Sequence, residues 1–302
     1  MGGKFAVAGG FGAEASQLPT EWIRLNISVA GTSMSLRSHV IGIALAAASG
    51  QAAEAHVICT IIADAASQKI LLQQGSCEQR VTPASTFKIA ISLMGFDAGV
   101  LKDEHSPSLP YQNGYVDWGG ATWRQAQDPT SWIKYSVVWF SQQVTRSLGM
   151  PRFQQYVRDF QYGNVDVSGD NGKDNGLDRA WISSSLKISP LEQVVFLEKI
   201  VNRQLPVNQH AFDITGKITE IAGAPDGWTI HAKTGTGFPR ENGVADESHG
   251  YGWFVGWATT DQRTLVFARL IQDEQKGQRP AGLTARDDFM AELPDLLNSH
   301  AN

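Results

Sequence analysis

The stretch Ser85-Thr86-Phe87-Lys88-Ile89-Ala90-Ile91-Ser92-Leu93-Met94-Gly95-Phe96 limits what this chain can fold into more than any other. Nothing in it breaks a helix before Gly95, and Pro83-Ala84 just ahead places Ser85 near a helix start. A helix that is apolar almost all round must be packed on every side, so the fold has to be built about it. It also takes a lysine with it. Ser85 and Lys88 are three positions apart, a spacing that stacks hydroxyl and amine on one helix face. So placed, Ser85 would face unpaired backbone N–H groups and the positive end of the helix dipole. The plainer reading of Lys88 is an amine that snorkels to the surface. The same Ser-x-x-Lys spacing recurs at Ser131 to Lys134 and Ser184 to Lys187, so spacing by itself identifies nothing.

Around this helix the chain reads as α+β. Val57 to Ile62 and Ile70 to Gln73 are strand-like, with a turn near Ser67-Gln68, and form a hairpin over 57 to 76. From Ser85 to about Arg203 the texture is helix and loop, punctuated by Pro107, Pro110, Gly119-Gly120, Pro129, Pro151 and the glycines of 169 to 176. After about His210 it turns to strands: Trp228 to Thr234, Tyr251 to Thr259 and Thr264 to Ile271 suit an antiparallel meander. A last helix from about Thr284 to Leu297 follows, kinked or ended by Pro294. The expected architecture is an antiparallel sheet formed from both chain ends, flanked by the last helix and the Ser85 helix. A mostly helical subdomain, about 85 to 205, is inserted between the two ends.

The N-terminal region reads as a leader. Arg37 and His39 precede the apolar run Val40 to Ala48, which is followed by Ala53-Glu54-Ala55, an A-x-A cleavage site. The run is too short to anchor a protein stably in a bilayer. Residues 34 to 55 are therefore expected to be a signal peptide beginning at Met34, with 1 to 33 an upstream extension and 56 to 302 the catalytic domain. Export to an oxidising compartment, the periplasm, makes the two cysteines, Cys59 and Cys77, a candidate disulfide across the hairpin; two buried free thiols are the alternative. A net charge of −5 argues against nucleic acid as the main partner, and the seven histidines have no zinc-ligand spacing.

Two more clusters suit an acylating Ser/Lys enzyme. Ser136-Val137-Val138 follows the first, and Lys233-Thr234-Gly235, the single Lys-[Ser/Thr]-Gly of the chain, lies on an expected strand. There a cation and a hydroxyl can meet an anionic substrate, and the glycine lets a ligand approach the backbone. Read singly, Ser136 could be a helix cap and Lys233 an edge-strand charge.

Together with Tyr162-Gly163-Asn164 and the phrase Ser184-Ser185-Leu186-Lys187-Ile188-Ser189-Pro190, these clusters resemble a class D, or OXA-type, serine β-lactamase over essentially the whole mature chain. The resemblance implies the penicillin-recognising fold and hydrolysis of penicillins, oxacillin-like compounds included, giving antibiotic resistance. Ser85 would form the acyl-enzyme. Lys88, carboxylated by CO2 in an apolar niche matching Val138 and Trp181, would be the general base of both half-reactions, with the Trp181 indole donating to the carbamate. A plain packing tryptophan is the alternative for Trp181. The backbone N–H groups of Ser85 and Thr236 would form the oxyanion hole. Ser136, helped by Lys233, would carry a proton to the leaving nitrogen. Thr234, Gly235 and an arginine would meet the substrate carboxylate, with Arg286 preferred to Arg279. Both arginines could instead be ordinary surface charges. Tyr162, where carbapenem-hydrolysing relatives often have Phe, leans toward a penicillinase profile.

No metal is implied, and no cofactor beyond CO2. The partners are small-molecule β-lactams, with no nucleic acid, no stable membrane anchor, and a monomer or homodimer. A penicillin-binding peptidase, usually Ser-x-Asn at the second cluster, is disfavoured by Val138. A β-lactam sensor that acylates and stays acylated would be tethered by transmembrane segments. A class A enzyme would need Ser-Asp-Asn and a separate glutamate.

Overall fold

The structure is a computed structural model that describes residues 55–225 and 227–299. The leader expected over 1 to 55 lies outside these, apart from Ala55, which opens the first strand opposite Asp273. Among the described residues no helix is long and apolar enough to cross a membrane.

Among the described residues, eight strands in two groups are separated by six α-helices and followed by a seventh. β1 (Ala55–Asp64) and β2 (Ile70–Gly75) form the hairpin, then α1 (Lys88–Asp97), α2 (Pro129–Lys134), α3 (Val138–Asp159), α4 (Gly176–Arg179), α5 (Pro190–Val201) and α6 (Gln209–Thr219) follow. β3 (Glu220–Ile221), β4 (Thr229–Gly237), β5 (Arg240–Glu241), β6 (Val244–Ala245), β7 (Tyr251–Thr259), β8 (Thr264–Asp273) and α7 (Ala281–Ser299) complete the chain. One antiparallel six-stranded sheet has the order β2-β1-β8-β7-β4-β3, so the two chain ends meet where β1 pairs with β8. The central strands are buried on both faces, hence their nearly continuous apolar runs. One core lies between the sheet and α7, where Phe254, Phe267 and Phe289 cluster; the larger core joins the opposite face to the helical part.

Three expectations need correction. The helical insertion does not end near residue 205: α6 continues it to Thr219, started by Asn208, whose side chain accepts the Ala211 N–H at 2.9 Å. Of the two outcomes expected at Pro294, a kink or an end, the end is overturned: the last helix runs through it to Ser299. The Ser85 helix is not the layer that flanks the sheet. α5 covers that face against β1, β7 and β8, while α1 packs chiefly on α6 and α3, and the turn before α1 touches β4.

The placement of α5 is written locally. Pro190 is its first residue, Ser189 accepts the Glu192 N–H at 3.2 Å, and the Ser189 N–H donates to Glu192 Oε2 at 3.0 Å. This reciprocal cap is worth about 0.5–2 kcal/mol. Just ahead of it Ile188 exchanges two backbone bonds with Val81, at 2.9 and 3.0 Å, which ties the Ser184 to Pro190 phrase to the segment leading into Ser85.

Candidate active site

Ser85 lies in a 3-10 turn, Ala84–Phe87, that runs directly into α1. Nine of the ten α1 residues are buried, as the apolar run requires. Lys88, the first residue of α1, is 0% exposed, and its Nζ donates to Ser85 Oγ at 2.9 Å. Burial, and next the nearby Lys233 cation, hold this amine well below the usual lysine range. It does not snorkel.

A cavity of roughly 730 Å³ opens beside the serine. Ser85, Ser136, Val138, Trp181, Lys233, Thr234, Gly235, Thr236 and Arg286 line it, so the three sequence clusters converge on one space. Each arrives by a different device. Ser136 sits just past α2 with φ +58°, while the Val137 N–H reaches back to the Trp132 carbonyl at 3.0 Å and the Ser136 N–H to Ile133 at 3.3 Å. That is a Schellman ending with serine in the left-handed position glycine normally takes. A non-glycine residue held there carries strain, of the kind that gathers at functional sites.

Lys233, on β4, is only 5% exposed and donates to the Thr234 carbonyl at 3.0 Å. Burial, then the Arg286 charge, push its pKa down to about 7. The surface-charge reading of Lys233 is thereby excluded. The strand partner of β4 on this side, β3, stops at the pair Glu220–His231, so Lys233 to Gly237 have the Ser85 turn beside them instead. Gly235 matters for that approach: a Cβ on it would stand 3.0 Å from the Pro83 carbonyl oxygen. The glycine therefore admits the turn that carries Ser85, and it also lines the cavity.

Arg286 and Arg279 separate clearly. Arg286 lines the cavity and Arg279 does not, although both bond Asp287. Trp181 is fully buried, with Phe87 and Phe153 rings 5.7 and 6.2 Å from it, and its Nε1 has no hydrogen-bond partner. A buried indole N–H lacking an acceptor is costly. A carboxylate group on the buried Lys88 amine is an acceptor of the right chemistry, so these residues fit a lysine carbamate.

The other motifs turn out to be structural. Tyr162 is fully buried between Phe87 and Phe196 and does not line the cavity. Gly163, at φ +56°, stands so close to Lys187 that a Cβ would lie 2.0 Å from its carbonyl oxygen. The Asn164 side chain donates to the Ser185 carbonyl at 2.9 Å and accepts the Lys187 N–H at 2.8 Å. Of the repeated Ser-x-x-Lys spacings, Ser131 belongs to the cap of α2 with Asp128, and Ser184 donates to Asp170. Cys59 and Cys77 are joined, with Cα atoms 5.0 Å apart.

Several lining residues had no marker in the sequence. Trp118, 60% exposed at the rim, is tilted against Trp123, and Ala84 and Ser183 are further wall residues with φ of +50°. An indole beside the pair Gly119-Gly120 was the one available hint for Trp118.

A sheet built from both chain ends, a helical insertion and a Ser/Lys pair at their junction define the penicillin-recognising class. Residues 58–295 match the family described as "Penicillin binding protein transpeptidase domain". Within it, the chain is 45% identical to Beta-lactamase OXA-9 of Klebsiella pneumoniae over 243 residues, 80% of this chain and 88% of that one. It is 37% identical to Beta-lactamase OXA-1 of Escherichia coli over 66% of this chain and 70% of that one. The crystal structure of OXA-427 class D β-lactamase superposes with a TM-score of 0.76 at 45% identity, covering 80% of this chain and 98% of that chain. The chain belongs to the class D serine β-lactamases.

Proposed function

We propose that Ser85 opens the β-lactam ring of penicillins, oxacillin-like compounds included, through an acyl-enzyme that water then hydrolyses, and that this confers resistance. The observation that carries the reading is the buried Lys88 amine, hydrogen-bonded to Ser85 Oγ on the wall of a cavity that also holds Ser136 and Lys233. Ser85 Oγ attacks the lactam carbonyl carbon, and the ring C–N bond breaks as the acyl group passes to serine. Backbone N–H groups of Ser85 and Thr236 receive the developing oxyanion; one such donor is typically worth about 2.7–4 kcal/mol. Ser136, which lines the same cavity as Lys233, delivers a proton to the departing nitrogen. Lys233, Thr234 and Arg286 hold the substrate carboxylate.

Bound to Lys88 Nζ as a carbamate, CO2 supplies an anionic general base beside Ser85. Lys88 suits that addition because burial favours its neutral, nucleophilic amine, Val138 keeps the wall apolar, and the unpartnered Trp181 N–H awaits an acceptor. Cleavage of the leader near Ala55 would release the enzyme into the periplasm, where the Cys59–Cys77 bond is sustained.

Burst kinetics with a chromogenic cephalosporin test the hydrolase reading: turnover should continue far beyond one equivalent. A single equivalent followed by silence would identify an acylated sensor or slow peptidase instead.

A further inference from the structure

We propose that the Thr82 hydroxyl is a positioning group, holding the Trp181 to Ser183 wall of the cavity in register with Ser85. Thr82 is three residues ahead of the nucleophile and only 5% exposed. Its Oγ1 donates to the Trp181 carbonyl at 2.9 Å and accepts the Ser183 N–H at 2.9 Å. One hydroxyl thus clasps both ends of a three-residue segment.

The clasped groups are not ordinary ones. Trp181 carries the buried, unpartnered indole N–H. Ser183 has a left-handed φ of +50°, a conformation that persists only when its surroundings over-determine it. The Ser183 hydroxyl passes the constraint on by accepting the Phe238 N–H at 2.8 Å, beyond the end of β4. The Thr82 carbonyl accepts the Trp253 indole N–H at 2.8 Å, which fixes the hub to β7. Its methyl group is hemmed in by Gly237, where a Cβ would come within 2.5 Å. The Thr82 hydroxyl is thus held by two hydrogen bonds with its methyl against Gly237, and it ties two stretches of the cavity wall, Trp181 to Ser183 and Phe238, to β7.

Direction is what such a hub provides. A hydrogen bond weakens steeply once its angle falls below about 120°, so the Trp181 N–H serves an acceptor on Lys88 only while its ring is held in one plane. Thr82 touches no substrate and acts through Trp181. This inference rests on the reading of Lys88 as a carbamate, and the test separates the two.

Enzyme inactivated by degassing at acid pH is returned to neutral pH, and recovery of activity is titrated with bicarbonate for wild type, Thr82→Val and Thr82→Ser. Thr82→Val keeps the shape and removes the hydroxyl; if it does not fold, Thr82→Ala takes its place. Wild type should recover at low bicarbonate. The valine variant should need roughly threefold to tenfold more, the equivalent of one lost hydrogen bond, with kcat reduced, KM nearly unchanged and activity restored at high bicarbonate. Thr82→Ser should follow wild type. A wild type indifferent to bicarbonate overturns the carbamate reading and this one with it. A responsive wild type matched by Thr82→Val at the same half-saturation overturns the role of Thr82 alone, whatever the melting temperature does. A serine variant as impaired as the valine one overturns it too, because a retained hydroxyl would then fail to preserve the wall.

Discussion

Lys88 Nζ lies 2.9 Å from Ser85 Oγ in a position closed to solvent, and among the described residues Lys88 has no ion-pair partner. A buried ammonium without a counter-ion is expensive enough to give up its proton. Burial therefore favours an uncharged amine facing the Ser85 hydroxyl, the starting point of the proposed chemistry. Lys88→Ala should lower steady-state turnover by about 10²–10⁴-fold, the usual worth of a positioned general base. Intact-mass spectrometry should then find a persistent acyl adduct on Ser85. Near-normal rates would show that Lys88 is not the base.

The two buried lysines should give opposite pH limbs. Lys233, with a pKa of about 7, is an ammonium below that value and a neutral amine above it. Its pull on a substrate carboxylate fades as pH rises, so KM should climb on the alkaline side. Lys88 loses the neutral form needed for CO2 addition as pH falls, so kcat should drop on the acid side. For stability, the unfolded chain binds more protons than the folded one between about 7 and the ordinary lysine value of 10.5. The Lys233 contribution thus stabilises the fold increasingly as pH rises through that window. A flat KM profile would contradict the role given to Lys233.

Arg286 lines the cavity, whereas Arg279, which bonds the same Asp287, does not. Arg286→Ala should raise KM for penicillins about tenfold, and Arg279→Ala should change it less than about twofold. The reverse ranking in steady-state assays would reassign the carboxylate site.

Ser136 occupies a left-handed position that glycine normally takes, and its hydroxyl is the proposed proton donor. Ser136→Gly should raise stability by about 1 kcal/mol while removing most of the activity. Melting curves and turnover measured on one preparation should therefore move in opposite directions. A variant both active and more stable would show that the hydroxyl is dispensable.

The Cys59–Cys77 bond ties β1 to the residue pair beyond β2 and closes a short loop. Replacing both cysteines by serine should cost roughly 3 kcal/mol in urea unfolding by the chain-entropy model. Turnover of the folded variant should be unchanged, because neither residue lines the cavity.

Much of this could be read residue by residue. The strands Tyr251–Thr259 and Thr264–Asp273 follow from β-rich runs bounded by turns, and the buried α1 from an apolar run without a polar face. α6 escaped although Ala211, Ile214, Thr215 and Ile218 recur at helical spacing, because the run is short and its β-branched Ile214, Thr215, Ile218 and Thr219 equally suit a strand, while its cap, Asn208, also suits a turn. Thr82 and Ser183 had no local signature: their roles come from partners distant in the chain, Trp181 and Phe238.

The order of residues alone determined that a serine and a lysine share one face of a buried helix, that strands from both ends close one sheet, and which motifs mark the family. These are consequences of periodicity and short-range spacing. Only the tertiary structure decided that Lys88 and Lys233 are stripped of solvent, that Arg286 rather than Arg279 meets the cavity, and that Gly235 makes room for the Ser85 turn. The reason is physical: burial, and the pKa shift it brings, depend on what the rest of the chain packs around a group, and no local pattern carries that information.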